Sequence, residues 1–335
     1  MLFRSLCGLT CAWMVFQQTF FHPDKYKHYV KFWGFKGPLA CWICIWGMIA
    51  MLTSAPFDDW WHNTYGLDVQ IVSPPHIVLA LGIFAIFLGS LQLVLAERNL
   101  AQESQKKIYD YLYLYAASLI LLQFCIILTE YSFANKQHSL EFYKLSTIFY
   151  GFVIIAFSEA ARTKYAATII ASLYMIHRLL ILWILPLFEA EPLLGPIYRE
   201  ITHYVAPPFP PLLIIPAIII DIVRSRFTLS NKILKAIIFA IIFTLILLLT
   251  QWYFSEFLLS EYARNWVFGS DRNKPFWVPV GDFNFEYWDY DWTPYGHKIP
   301  MSPVTVKNMA LTLVYSIFSI YLALLFSGWL KRIKK

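Results

Sequence analysis

Residues 55–76, APFDDWWHNTYGLDVQIVSPPH, place three aspartates and two histidines between two long apolar segments. If DDWWH is helical, Asp58 lies four residues before His62 and Asp59 lies three residues before it. Residues three and four apart are neighbours on a helix surface, so either carboxylate would share a face with the imidazole. The spacing therefore predicts an acid–base or metal-binding pair.

The second histidine of this stretch follows a predicted turn. Gly66 permits the chain to turn after the first helix. The sequence SPPH then predicts a new helix, with Ser73 as its cap and Pro74 in its first turn. His76 would lie in that first turn, at the positive end of the helix, which disfavours the imidazolium form. The neutral imidazole that remains is the form that binds metals.

These residues together predict a metal site. Asp58 or Asp59, His62 and His76 would supply one carboxylate and two imidazoles, a ligand set that suits copper, zinc or iron. Asp68 is a candidate partner that orients a histidine. Two alternatives fit the same spacing. One is a metal-free Asp–His hydrogen bond that ties a loop to a helix cap, and the other is a site that handles protons or substrate.

The elements that must position these residues are membrane helices. The chain has 335 residues, of which 59% are hydrophobic and 14% are charged, whereas a soluble domain carries about 25% charged residues. Aromatic residues reach 19%, which suits the interfacial belts of a membrane protein. We therefore predict an all-α, polytopic helical bundle. Residues 5–21 are a doubtful further span. Eight segments are long and apolar enough, or nearly so, to span a bilayer: 38–54, 76–97, 108–130, 142–160, 165–188, 208–224, 233–256 and 308–330.

The distribution of Lys and Arg predicts the orientation of the bundle. Basic residues cluster in alternate connections and in the tail KRIKK, so these parts and the C-terminus are predicted to be cytoplasmic. The loops 55–75, 189–207 and 257–307 would then be extracytoplasmic. The predicted organisation is a membrane bundle over 1–256, an aromatic and acidic cap over 257–307, and a last helix with a basic tail over 308–335.

A short stretch of the chain resembles a known family. The pattern D…WH…D…SPPHIVLALG is similar to the C subunit of the copper membrane monooxygenases, the particulate methane and ammonia monooxygenase family. The resemblance covers about 25 of the 335 residues. It implies that Asp58, His62 and His76 bind copper, and that the chain is a subunit of an oxidoreductase that activates oxygen.

Other polar residues are weaker candidates. Glu200 and His203 are three residues apart and would share a face if helical, where they could complete a site or form local ion pairs. His177 and Arg178 lie within an apolar segment, where ionisable residues mark either a structural ion pair or a functional group. The cap interleaves acidic and aromatic residues over 282–292, a pattern that fits sugar or cation binding, a lid, a subunit contact or an interfacial cap.

The five cysteines lie in or beside apolar segments and imply no disulfide framework. Cys41 and Cys44 have the spacing of a redox pair, yet their place inside an apparent span predicts buried small residues.

Three functional hypotheses follow. The first is a metal-binding membrane subunit, monooxygenase-like or oxidase-associated, with copper as its cofactor and zinc or iron as alternatives. The second is a membrane glycosyltransferase or lipid-linked transferase that uses Asp58 or Asp59. The third is a non-catalytic scaffold or transporter subunit. The predicted partners are the lipid bilayer and other membrane subunits. No nucleic-acid partner is expected, and the sequence contains no nucleotide-binding motif.

Overall fold

The computed structural model describes residues 2–23, 26, 29–66, 72–191, 202–204, 206–227, 229–263, 265–269 and 302–333. These residues form nine α-helices and one antiparallel hairpin, with short 3-10 turns between some of the helices. The elements in chain order are α1 (Leu2–Phe20), β1 (Val30–Phe32), β2 (Phe35–Gly37), α2 (Leu39–Tyr65), α3 (Pro74–Leu100), α4 (Glu103–Ile127), α5 (Leu140–Ala160), α6 (Ala166–Ile184), α7 (Ile214–Arg226), α8 (Lys232–Leu259) and α9 (Val306–Leu330).

The helices confirm the predicted fold class. Seven of those described, all except α1 and α7, are long and apolar enough to cross a membrane. They coincide with seven of the eight predicted segments. The chain is therefore an all-α protein with the helices of a multi-pass membrane protein.

The eighth predicted segment, 208–224, is only partly helical. The chain has no regular secondary structure over 206–212, and α7 has 13 residues. Four prolines over 207–211 explain the difference, because proline lacks the N–H of a helix and also disfavours helix in the residue before it. Side chains of other helices bond to this non-helical backbone instead: Arg178 Nη2 donates to the Pro208 carbonyl at 2.9 Å, and the Leu212 N–H donates to Gln251 Oε1 at 2.9 Å.

The doubtful ninth segment forms α1, which is helical throughout but is not among the seven apolar helices. The polar side chain of Gln18 within α1 faces inward, because it is fully buried and donates to the Tyr26 carbonyl at 2.9 Å.

The chain divides into two compact units, Met1–Gln123 with Phe157–Ala166 and Leu325–Lys335, and Phe124–Ala156 with Ala167–Leu324. In the first unit, α2 and α3 pack closely along their lengths. A Cβ added at Gly47 would lie 2.7 Å from the Gly82 carbonyl, and one added at Gly89 would lie 2.7 Å from the Ala40 carbonyl. The two helices are therefore antiparallel, and the end of α2 lies beside the start of α3.

In the second unit, a buried carboxylate joins α6 to α7. Asp221 is fully buried and accepts hydrogen bonds from the backbone N–H of Ala167 and of Thr168, at 3.3 and 2.7 Å. Arg224 donates to the same carboxylate at 2.7 Å. The acid therefore caps the start of α6 and holds α7 against it.

Candidate metal centre at the junction of α2 and α3

The first two predicted ligands lie near the end of α2. The helix continues beyond the apolar segment to Tyr65, so Asp58 and His62 lie on the same face of its last two turns. His62 Nε2 is 3.4 Å from Asp58 Oδ1. Asp59 is exposed. Of the two carboxylates that the spacing allows, Asp58 is therefore the one that faces the histidine.

Gly66 ends α2 and fixes the ring of His62. It has a φ of 84°, in the left-handed region that glycine adopts without strain. Its N–H donates to the His62 carbonyl at 2.9 Å, and its own carbonyl lies 3.1 Å from His62 Nδ1. A carbonyl oxygen only accepts hydrogen bonds, so Nδ1 carries a proton. In the neutral ring, the lone pair is then on Nε2, on the side of Asp58.

The third predicted ligand comes from the start of α3. Pro74 begins the helix, and His76 lies in its first turn, as predicted. His76 Nε2 is 3.7 Å from Asp58 Oδ1. Ser73 occupies the cap position, but its side chain makes no capping hydrogen bond and its hydroxyl is buried without a hydrogen-bond partner. The predicted capping role of the Ser73 side chain is therefore wrong. Ser73 caps the helix through its backbone alone, since its carbonyl accepts from the Ile77 N–H at 2.8 Å.

The two imidazoles approach one carboxylate oxygen. Asp58 Oδ1 is buried and has no hydrogen-bond partner, a situation that is costly unless a positive charge compensates it. Two ligand atoms bound to one tetrahedral ion at about 2.1 Å lie about 3.4 Å from each other. The separations of 3.4 and 3.7 Å from Oδ1 to the two nitrogens are of this size. The three residues are not, however, a set whose ligand atoms all lie within 4.8 Å of one another in the described part of the chain. The two imidazole nitrogens are therefore more than 4.8 Å apart, and the side chains would have to move closer before one ion could bind both.

Aromatic side chains surround the end of α2. The rings of Phe57 and Trp60 stack with their centroids 5.9 Å apart, and the ring centroids of Trp61 and Tyr65 are 4.5 Å apart. Trp60 is half exposed, as expected for a ring that anchors a helix end in the membrane interface.

Two of the weaker predicted candidates, Asp68 and Glu200, lie outside the described residues, as does the centre of the cap over 282–292. His203 lies in an extended segment and forms an isolated bridge with Glu189. His203 is therefore not in a helix, which the predicted shared face of Glu200 and His203 requires. Its Nδ1 lies 3.0 Å from the Thr202 hydroxyl.

The intramembrane pair on α6 has structural contacts. His177 Nδ1 lies 2.6 Å from the Leu173 carbonyl, one turn earlier. Arg178 is buried and donates to the Pro208 carbonyl. The buried acid Asp221 bonds Arg224 and the start of α6. Arg178 therefore supports the non-helical segment before α7.

A buried histidine that the sequence analysis did not single out lies before α5. His138 is 8% exposed. Its Nδ1 lies 3.0 Å from the Ser255 hydroxyl, and its ring packs edge-on against Trp252 at 4.1 Å. Burial lowers the pKa of His138 to about 4, because the charged form loses its hydration. Burial therefore favours the neutral ring, whereas Glu256 Oε1, 3.8 Å from His138 Nε2, favours the charged one. A single histidine in a short polar connection has no partner at a regular spacing, so the sequence does not predict that it is buried.

No protein-family model, curated protein or solved structure matches this chain significantly.

Proposed function

We propose that this multi-pass membrane protein binds a copper ion through Asp58, His62 and His76, and that it acts as a monooxygenase-like or oxidase-associated subunit of a membrane complex. The single observation that supports the proposal is the buried Asp58 oxygen, which has no hydrogen-bond partner and lies between two imidazole nitrogens. The local resemblance to the copper monooxygenase C subunit favours copper over zinc and iron.

Each residue would have a defined role. Asp58 would contribute one negative charge and an oxygen ligand. The two histidines would bind through Nε2, and the Gly66 carbonyl would hold the His62 ring in the tautomer that leaves Nε2 free to bind metal. Bound copper would supply the redox chemistry for oxygen activation. The aromatic residues at the end of α2 would give a small apolar substrate a path from the lipid.

The proposal includes an orientation, in which the C-terminus is cytoplasmic and the metal site faces the other side. It follows from the Lys and Arg distribution of the sequence. It requires the non-helical segment 206–212 and α7 to cross the membrane together. The bonds from Arg178 and Gln251 support this crossing, because non-helical backbone is tolerated at membrane depth where protein groups satisfy it.

Metal analysis of the purified full-length protein tests the site. We expect copper in the wild-type protein, and a loss of at least about tenfold in copper affinity in His62→Ala, His76→Ala and Asp58→Asn. The matched control is Asp59→Asn, which removes the adjacent exposed carboxylate and should leave the copper content unchanged. Zinc and iron are measured in the same samples, which decides the identity of the metal.

Unchanged copper, zinc and iron contents in a His62→Ala/His76→Ala double variant would contradict the proposal. That result would favour the metal-free Asp–His contact and a scaffold role. The alternative of a transferase that uses Asp58 or Asp59 gains no specific support, because Asp58 faces the imidazoles and no contact of Asp59 points to a substrate site.

A further inference from the structure

Four of the five cysteines lie where α1, α2 and α3 meet. The Sγ atoms of Cys7, Cys11 and Cys44 all lie within 4.8 Å of one another. Within the part of the chain that the structure describes, this is the one set of three His, Cys, Asp or Glu ligand atoms that is so compact. We propose that these three thiols form a second metal site, which binds one Cu(I) ion as thiolates.

Helix packing brings the three sulfur atoms together. Cys7 and Cys11 are four residues apart on α1 and so share a face, while Cys44 comes from α2. Gly89 of α3 leaves room for the Cys44 thiol, since a Cβ at Gly89 would lie 2.5 Å from that sulfur. Cys7 also contacts the Ser90 hydroxyl at 3.4 Å. All three helices therefore define the position of the cluster.

Further sulfur atoms lie at the same helix contact. Cys41, one turn before Cys44, is fully buried, and its Sγ lies 3.9 Å from the thioether sulfur of Met14. On the other side of Cys44, the sulfur of Met48 packs against Gly8, where a Cβ would lie only 2.6 Å away. The surroundings are thus rich in soft, polarizable ligands and otherwise apolar.

This environment favours Cu(I). Soft thiolate and thioether ligands select Cu(I), zinc or iron–sulfur clusters. Three sulfur atoms bound to one ion at about 2.3 Å lie about 4 Å apart, so small rotations of the side chains would close the cluster on an ion. Structural zinc needs four ligands, whereas Cu(I) is satisfied by two or three sulfur atoms. Each thiol that binds releases its proton, and no change in oxidation state is required.

The simplest alternative is that these thiols are only small buried side chains. The fifth cysteine shows that arrangement: Cys125 is buried, and its Sγ contacts the Tyr174 hydroxyl at 3.3 Å. It lies in the second unit, so Cys125→Ser is a matched control for a thiol outside the cluster.

The thiol cluster is independent of the Asp–His site. Cys44 and Asp58 are 14 residues apart on α2, which is about 21 Å at 1.5 Å per residue. A His62→Ala/His76→Ala background therefore removes the first site and leaves the second intact, and the two proposals succeed or fail separately.

Cu(I) binding to the full-length protein in that background tests the proposal. The protein is reduced, kept anaerobic and titrated with Cu(I) against a competing chromophoric chelator. We expect one tightly bound Cu(I) with sulfur neighbours in its X-ray absorption spectrum. Adding Cys11→Ser and Cys44→Ser should weaken binding at least about 100-fold, and Cys125→Ser should not. Equal Cu(I) binding in the cluster variant and in the Cys125→Ser control would overturn the proposal.

A second measurement needs no cysteine variant, so it holds even if those variants fold poorly. Cys7 is partly exposed and should react with N-ethylmaleimide. One equivalent of Cu(I) should slow its alkylation at least tenfold, as read by mass spectrometry of the Cys7 peptide. An unchanged rate would overturn the proposal, as would a disulfide among these cysteines in protein kept anaerobic without reductant.

Discussion

At the scale of single residues, the candidate metal centre depends on the choice between two adjacent aspartates. The spacing DDWWH predicts that Asp58 or Asp59 shares a face with His62, and the structure selects Asp58. The sequence could not make this choice, because it depends on the rotation of α2 relative to α3 and its His76. It could predict the turn at Gly66 and the proline-led start of α3, since both follow from local backbone chemistry.

Replacing Gly66 should weaken metal binding without a comparable loss of fold. Gly66→Ala forces a Cβ onto a residue with φ of 84° and ψ of −174°, a conformation essentially restricted to glycine that costs other residues about 1–3 kcal/mol. The shift of its carbonyl should release His62 Nδ1 and lower copper affinity about tenfold. The measurement is copper affinity of the purified variant.

Gly34→Ala is the control for that prediction. Gly34 also has a φ of 84° and, like Gly66, nothing within 4 Å of an added Cβ. Its substitution also places a Cβ on backbone with positive φ, in the hairpin between β1 and β2, but should leave copper affinity unchanged. Equal losses in the two variants would mean that the Gly66 carbonyl has no role in the site.

At the scale of elements, the close packing of α2 and α3 brings His76 to Asp58. Hydropathy predicts both helices, and small residues are typical of helix contacts in membranes. The contact itself joins Gly47 to Gly82. Their pairing could not be predicted, because the two glycines are 35 positions apart and follow no short motif. The register of this contact nevertheless decides which residues meet at the junction.

Widening the α2–α3 contact should therefore damage both stability and the metal site. In Gly82→Ala, the new Cβ would lie 2.8 Å from the Gly47 carbonyl and 2.9 Å from the Met51 nitrogen. Overpacking of this kind costs about 1–3 kcal/mol. We expect a lower Tm in thermal unfolding of the detergent-solubilised protein, together with reduced copper content.

The matched control for Gly82→Ala is Gly328→Ala in α9, where an added Cβ meets nothing within 4 Å. Alanine is favoured over glycine in a helix by up to about 1 kcal/mol, so the Tm should stay the same or rise. If both variants unfold at the wild-type temperature, the glycine contact does not limit the approach of α2 to α3.

At the scale of the whole molecule, the number of membrane crossings determines on which side the Asp–His site lies. Hydropathy predicts seven of the eight segments as long helices, since an apolar run of this length has few other structures open to it. It does not predict that the start of the eighth segment is non-helical. That feature depends on buried side chains, Arg178 and Gln251, which lie far away in sequence and bond to the proline-rich backbone.

The parity of these crossings gives a direct test of the proposed orientation. Between Thr64 and Ser230, four helices are long enough to cross, α3 to α6. With the segment 206–226 as a fifth crossing, the two residues lie on opposite sides of the membrane, and without it they lie on the same side. Both side chains are exposed, so cysteines introduced there should be accessible to a membrane-impermeant maleimide.

In intact cells, we expect labelling of Thr64→Cys, and labelling of Ser230→Cys only after the membrane is permeabilised. The wild-type protein, with its own five cysteines, measures the background. Labelling of both positions before permeabilisation would mean that 206–226 does not cross. Labelling of Ser230→Cys alone would mean that the protein has the opposite orientation, with the Asp58, His62 and His76 site on the cytoplasmic side.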